Sequence, residues 1–491
     1  MGMGNVERVL GKEGRDWRFW ARVLFSCSIL LFVFLHLLEF MTGFPPLRKW
    51  LAYCGFFAFV FALLSMRGKS FLLPLTIAGM ALVNAWVDLG WEGVVRVWEG
   101  FVLMRELVML LLAIPLVGWV LRQEPYVRDL MVAGRSFLRN SSRFYLGIMA
   151  IIQVVANFML VGSVPVMYQF LQGMLQGKGE VWAEFRLTSV LRGFALNCLW
   201  VFSFPSLAFA IEILKVPLLP VVFRGLLLSV MGMLLAALFF SVYERRNRVS
   251  LNEELVLQIE RSMQEIVTAG EEGKIRRRVA EFFFLFVSLV GSAALLHTWF
   301  HLSILLLLPL IVVVWTLFYF VFKRKRTVFL QEGKRYLRQE LPRKGQELSV
   351  VLAAGLLIMS LNMTGNGAEA VSSIYEWTSQ WRWFNFLWLL PLVVLFLGVV
   401  GLSPMTSMLV LGGILQSIQL PYPNEAVVLS LTIGTTLCFL LSPVLLPALF
   451  LSAGSGETPL KVSMGRNWGF SLAFLLMAEI YLQLVLWLMQ G

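Results

Sequence analysis

Apolar residues in this chain gather into runs of about twenty, the length a helix needs to cross a bilayer core. Polar segments crowded with Arg and Lys divide the runs. The first run begins among Arg8, Lys12, Arg15, Arg18 and Arg22 and lasts to Phe40. It has no clear small-residue cleavage site, so a retained span is expected and not a removed signal peptide. Further spans are expected over 50–66, 71–87 and 101–121, the 71–87 run being interrupted at its end by Asn84 and Asp88. Beyond them come 188–212, 220–242, 280–298, 302–322, 347–363, 427–452 and 468–489. Two longer apolar segments, 144–174 and 384–420, each carry a helix breaker.

The charges orient these runs, because Lys and Arg concentrate in cytoplasmic loops. One basic loop holds Arg122, Arg128, Arg135, Arg139 and Arg143. A second runs from Glu244 to Lys274 and on through Arg276, Arg277 and Arg278, and a third from Lys323 to Lys344. These three loops and the N-terminus fall on one side only if 144–174 enters and leaves by the same face. In the second half, 384–420 must do the same from the other face, which leaves the C-terminus outside. The polar stretch from Asn362 to Arg382, with only Arg382 as a base, then sits outside. The expected fold is an all-α polytopic membrane protein of about eleven transmembrane helices plus two re-entrant hairpins in inverted repeats. Its divisions are scaffold spans over 1–100, a first repeat over 101–242, cytoplasmic loops with a two-helix hairpin over 243–346, and a second repeat over 347–491. Leu255, Ile259, Met263 and Ile266 stand at helical spacing, which predicts an amphipathic cytoplasmic helix over 250–270.

The breakers are Gly162-Ser163-Val164-Pro165, Ser203-Phe204-Pro205, Gly401-Leu402-Ser403-Pro404 and Ser442-Pro443, two in each half. Hydrocarbon has no water for freed backbone groups, so broken helices persist there only when buried in protein or lining a polar cavity. Paired breaks at corresponding places in two halves point to the binding site of a secondary transporter.

By element order and by the matching places of these breaks, over about 101–242 and 347–490, the chain resembles the ion transporter superfamily. Within it the resemblance is to the divalent anion/sodium symporter architecture. Gly-Ser-x-Pro and Gly-x-Ser-Pro stand where those symporters carry Ser-Asn-Thr. The resemblance implies elevator-type alternating access, a homodimer, and a site built from hairpin tips and unwound span middles. Carried over by position, the tips are Asn157 with Gly162, Ser163 and Pro165, and Gly401, Ser403 and Pro404 with Thr406 and Ser407. The unwound middles are Trp200 to Ser206, with Ser203 and Pro205, and Thr435, Thr436 through Ser442 and Pro443.

A broken helix frees N–H groups at one new end and C=O groups at the other. The first attract anions and the second can hold a cation. Serine adds a hydroxyl donor and acceptor, glycine lets backbone approach a ligand, and proline at a first helical position gives up an N–H that has no partner anyway. Such a set suits a small anionic solute without a buried charged side chain. No cofactor is expected beyond a coupling ion, sodium or a proton.

Ionisable residues inside apolar runs are functional by default. Glu39, Arg105, Glu106, Arg192, Glu212, Arg224 and Glu479 qualify. Most lie near span ends, where a side chain can snorkel to water. Arg192 is expected to anchor its span at a membrane surface, with contact to an anionic substrate as the alternative. Glu479 falls near the middle of the last span and is expected to pair with a base on another helix, with proton coupling as the alternative. His297 and His301 have ligand spacing but fall in a short turn between spans, which reads as interfacial.

Composition closes other routes. Of 491 residues 59% are hydrophobic and 14% charged, against about 25% charged in soluble chains. The net charge of +12 would suit nucleic acid, but its bases sit between spans as cytoplasmic loops do. Cys27, Cys54, Cys198 and Cys438 are scattered in or beside apolar segments and read as small hydrophobes. The expected partners are a small-molecule substrate and the lipid bilayer, with no nucleic acid, in a bacterial cytoplasmic membrane. Two rival readings stand beside transport. One is an integral-membrane enzyme or lipid flippase, for which 40 Phe and 17 Trp could line a groove. The other is a non-transporting scaffold subunit.

Overall fold

The computed structural model describes residues 17–134, 140–175, 177, 179–248, 272–381, 385–416 and 418–490. All regular structure among the described residues is helical. Among the described residues, ten helical segments are long and apolar enough to cross a membrane, or eleven if one bent pair counts as a span. The protein is therefore an integral, all-α polytopic membrane protein. The expected amphipathic helix over 250–270 lies outside the described residues.

The chain divides into two compact units, one made of 1–113, 317–377 and 409–419, the other of 114–316, 378–408 and 420–491. The first unit contains α1 (Trp17–Thr42), α2 (Leu47–Ser65), α3 (Leu72–Val97) and α4 (Gly100–Leu103). α5 (Arg105–Leu121) begins there and ends in the second unit, bent by 62° from α6 (Tyr126–Ala133).

Against α2, α3 and α4 packs α15 (Gly345–Thr364). Its backbone meets that of α4 closely, since a Cβ on Gly355 would lie 2.3 Å from the Gly100 carbonyl oxygen. The polar residues that interrupt the 71–87 run are absorbed here. Asn84 Nδ2 donates to Ser360 Oγ at 2.9 Å and Thr364 Oγ1 at 3.0 Å, and Asn366 donates to Asn84 and Asp88. The polar stretch after Asn362 is largely helical. Gly365, at φ 80, ends α15 in the left-handed region, and Asn366–Ser379 begins a new helix with Glu369 in its first turn.

The second unit holds α7 (Ser141–Met159), α8 (Ser163–Met174), α9 (Glu180–Asn197), α10 (Pro205–Ile213) and α11 (Leu218–Arg246). α12 (Glu272–Phe300) follows, and α13 (Ile304–Phe322) starts in the same unit. After α14 (Arg326–Arg335), α15 and α16 (Asn366–Ser379), the order of the second unit repeats. It runs α17 (Phe386–Val400), α18 (Pro404–Leu415), α19 (Asn424–Leu441), α20 (Leu446–Ser455) and α21 (Arg466–Gln490). The lengths match as well: α8 and α18 have 12 residues each, and α9 and α19 have 18 each.

Candidate transport site

Each of the four breaks expected from sequence is a break in the helices, and the second unit chains them together. α7 ends at Leu160, which takes φ 46, and a short 3-10 turn leads into α8. α17 ends at Gly401, φ 110, a conformation that glycine adopts without a Cβ penalty. α9 gives way after Asn197 to an irregular stretch that ends where Pro205 opens α10. α19 gives way at Ser442, and Pro447 stands in the first turn of α20. Proline suits these starts because its missing N–H would have had no helical partner.

The same pairing occurs in both halves. Ser203 Oγ donates to the Asn157 carbonyl at 3.1 Å, tying the unwound segment after α9 to the end of α7. Ser442 Oγ donates to the Gly398 carbonyl at 3.1 Å, tying the unwound segment after α19 to the end of α17. The shift along the chain that carries Asn157 to Gly398 also carries Leu160 to Gly401. Aromatic contacts then join the halves: the Phe439 ring lies 5.2 Å from that of Phe194 and 5.9 Å from that of Phe204.

The hydroxyls at the tips are engaged with their own backbone. Ser163, fully buried, donates to the Leu160 carbonyl at 2.6 Å. Ser403 accepts from the Thr406 N–H at 3.1 Å, an N-cap for α18. It also shares a hydrogen bond with the Thr406 hydroxyl, and Ser407 Oγ donates to the Ser403 carbonyl. Gly162 precedes α8, Pro165 lies inside its first turn, and Pro404 opens α18. Asn157 Nδ2 donates to the Gln153 carbonyl. Thr435 and Thr436 stand in regular helix rather than in the unwound segment, because α19 continues to Leu441; their hydroxyls bond back to Leu431 and Thr432. Pro443 lies in the break itself.

A cavity of about 10 Å³ adjoins the first pair of breaks. That is space for one water at most. Asn157 and Ser203 supply its polar wall, and Ile114, Val117, Phe286 and Leu308 are among its apolar residues. Beside it, Gln153 donates to Ser229 and accepts from the Trp200 indole at 2.9 Å, a network the serine-proline signal did not reveal.

Charged residues tie the two repeats to each other. Arg466, at the start of α21, reaches Glu184 on α9 at 2.5 Å, Glu180 at 2.7 Å and both carboxylate oxygens of Glu457. Arg224 on α11 pairs with Glu425 on α19. The shift that carries Asn157 to Gly398 carries Glu184 to Glu425 and, within one residue, Arg224 to Arg466. Each pair therefore links the broken span of one repeat to the last helix of the other. Hydrogen bonds from Lys461 and then Arg466 pull the Glu180 carboxyl down from 4.5 to about 2.

Two ionisable residues differ from expectation. Arg192 is no surface anchor: it is buried, donating to Asn467 Oδ1, the Arg466 carbonyl and the Tyr145 hydroxyl, with the Phe470 ring 4.6 Å away. Polar groups on two other helices, α7 and α21, supply what water would at a membrane surface. Glu479 is fully buried, and among the described residues neither oxygen has a hydrogen-bond partner and no base on another helix faces it. Of the remaining candidates, Glu39 lies 3.9 Å from Arg105, and Glu212 accepts from the Ile304 N–H. His297 Nδ1 lies 2.9 Å from the Leu302 carbonyl, in the turn between α12 and α13.

No family model matches the chain, and no curated protein matches it in sequence. Solved structures do. The YdaH transporter of Alcanivorax borkumensis, described as having an unusual topology, aligns over 87% of this chain and 99% of its own, with TM-score 0.51 and 12% identity. MtrF of Neisseria gonorrhoeae, described within a class of antimetabolite efflux pumps, aligns over 85% of this chain and 94% of its own, with TM-score 0.55 and 13% identity. At such identities the likeness concerns the fold, and the fold of this chain is that of these membrane transporters.

Proposed function

We propose that the protein is a secondary transporter of a small anionic organic solute. The observation that carries this reading is the matched pair of serine-to-carbonyl ties, Ser203 to Asn157 and Ser442 to Gly398, which joins each hairpin tip to the unwound middle of the following span. Helix breaks inside a membrane protein expose backbone groups at midspan, where an ion or solute can use them. The fold shared with a transporter and an antimetabolite efflux pump supports the same reading. The two repeats are inverted in the membrane, 144–174 and 384–420 are re-entrant, the N-terminus is cytoplasmic and the C-terminus external. Elevator-type alternating access and a homodimer complete the proposal, in a bacterial cytoplasmic membrane like those of the two source organisms.

A thermal-shift screen of purified protein tests it, using small carboxylates and anionic antimetabolites with and without sodium. A binder stabilises the folded state by mass action, about 2.7 kcal/mol at a hundredfold excess over Kd. Hits then enter flux assays in proteoliposomes. No shift from any anion, and no flux of any, would remove the anionic-solute reading. For topology, cysteines placed at Arg122 and Ser379 should be respectively protected from and open to an external thiol reagent.

A further inference from the structure

Glu479 stands near the middle of α21, with no surface exposed and no hydrogen bond to either carboxylate oxygen. Its depth in the second unit is bracketed by contacts. Along the antiparallel pair α11 and α21, Phe470 meets Phe239, Phe474 adjoins Gly232 and the Tyr481 hydroxyl donates to the Arg224 carbonyl. Glu479 therefore lies level with the stretch between Arg224 and Gly232. Asn197, the last residue of α9, falls in the same layer, because Leu196 touches the site of a Gly232 Cβ and Leu199 that of a Gly225 Cβ. Asn197 too is fully buried, and both atoms of its side-chain amide are without partners. One turn beyond Glu479, Gln483 accepts from Asn385 but leaves its own Nε2 without an acceptor. Among the described residues, the Glu479 carboxyl and the Asn197 amide are thus wholly without hydrogen-bond partners, and Gln483 keeps one free donor group.

The elements packed most closely on α21 are α9, α11, α19 and the π-helical turn Lys461–Gly465, and Asn385 before α17 also reaches it. Their charges are engaged elsewhere. Arg224 pairs with Glu425, and Tyr481 bonds to backbone. Arg192, Lys461 and Arg466 serve Glu180, Glu184 and Glu457 beside the start of α21, and Arg186 donates to the Leu175 and Gly177 carbonyls. Tyr243 to Arg246 lie beyond Phe239 in the last turn of α11, and Cys438 is a buried thiol on α19. Among the described residues no base faces Glu479 to stabilise a carboxylate, and an ionised group without partners in such surroundings is strongly disfavoured.

We propose that Glu479 is a proton-binding site of the transport cycle, resting on the transporter reading above. In the conformation described here it carries the proton as a carboxylic acid. When α21 opens to water, the O–H bond breaks, the proton passes to water, and the carboxylate keeps the electron pair; re-protonation from water precedes closure. Asn197 and Gln483 supply the amide groups that can meet the ionised form during the exchange.

The test is infrared spectroscopy of the full chain in liposomes, which reads protonation without any solute. The expected result is a protonated-carboxyl C=O band at neutral pH that shifts in D2O, bleaches reversibly as pH rises, and is absent in Glu479→Gln. Glu479→Asp should retain a band with a displaced midpoint, which guards against a folding defect in the Gln variant. Absence of any Glu479-dependent band would overturn the proposal. So would a band that neither exchanges nor bleaches, since that is a permanently neutral structural acid. Bleaching by sodium at constant pH would overturn it as well and assign the carboxylate to a metal cation. If the band behaves as expected but no anion moves in a pH gradient, the transporter reading fails and the proton site stands.

Discussion

Removing the Arg466 guanidinium should be among the most damaging single changes outside the breaks. Its side chain is 5% exposed and contacts three carboxylates, of which Glu184 is 10%, Glu457 17% and Glu180 61% exposed. The exposed Glu180 contact contributes little, about 0–1 kcal/mol. The cost lies with Glu184, which Arg466→Ala would leave with only the 3.8 Å approach of Arg192. Stripping one partner from a buried pair costs about 3–5 kcal/mol, so Arg466→Ala should fall in that range. Glu184→Ala should cost less, because Arg466 keeps Glu457 and Glu180. The double mutant should lose less than the sum, with a coupling of about 1–3 kcal/mol. The matched pair is more open, Arg224 being 26% and Glu425 15% exposed, so its cycle should give a smaller coupling. Arg466→Lys should be intermediate, since a point charge cannot reproduce the two-pronged contact with Glu457. Equilibrium unfolding in mixed micelles, followed by tryptophan fluorescence, measures all of these. A coupling below about 0.5 kcal/mol for Arg466 and Glu184 would refute the reasoning, because that is the scatter of independent sites.

Three further outcomes follow from the same geometry. Ser203→Ala and Ser442→Ala should each cost about 0.6 kcal/mol of stability if the hydroxyls only bond to carbonyls, but about tenfold or more in affinity if they also hold a charged ligand; isothermal binding with a solute from the anion screen separates the two, and normal binding by both variants would make these serines structural. Gly398→Ala would set a Cβ 1.9 Å from Cys438 Sγ, so it should destabilise by about 1–3 kcal/mol and be rescued in the Cys438→Ala background; a failed rescue in a melting assay would place the strain elsewhere. The folded-state carboxyl of Glu180 lies near 2 and that of Glu457 is also held below 4.5, where burial alone would raise it but Arg466 and Lys461 prevail. Their contribution is present above about pH 4.5 and lost as pH falls toward 2, so the melting temperature should decline in that window, and less in Glu180→Gln; equal declines would exclude this residue.

Sequence alone was enough for the class of the molecule and for the four Gly, Ser and Pro breaks, but not for the kink at Gly90 or the bend between α5 and α6. Runs of about twenty apolar residues are long enough to cross a bilayer as helices, and Gly, Ser and Pro clustered within them interrupt the backbone at four places, although single prolines such as Pro115, Pro309 and Pro391 stay inside their helices. The matching order of elements in the two halves was legible for the same reason, since it is written along the chain. The contents of the site were not. Thr435 and Thr436 looked unwound by position, but α19 holds them because their hydroxyls can bond back within the helix. Arg192 looked interfacial because a one-dimensional reading cannot see that Tyr145, Asn467 and Phe470 converge on it from distant parts of the chain. The exchange of ion pairs between repeats, Arg466 with Glu184 and Arg224 with Glu425, was likewise decided only in three dimensions. Glu479 stood out as a charge in an apolar run, but whether it had a partner depended on four packed elements. Local backbone chemistry acts on neighbours in sequence and can be read there. The pairing of buried charges depends on which helix faces cross at which depth, and that is fixed only when the chain folds.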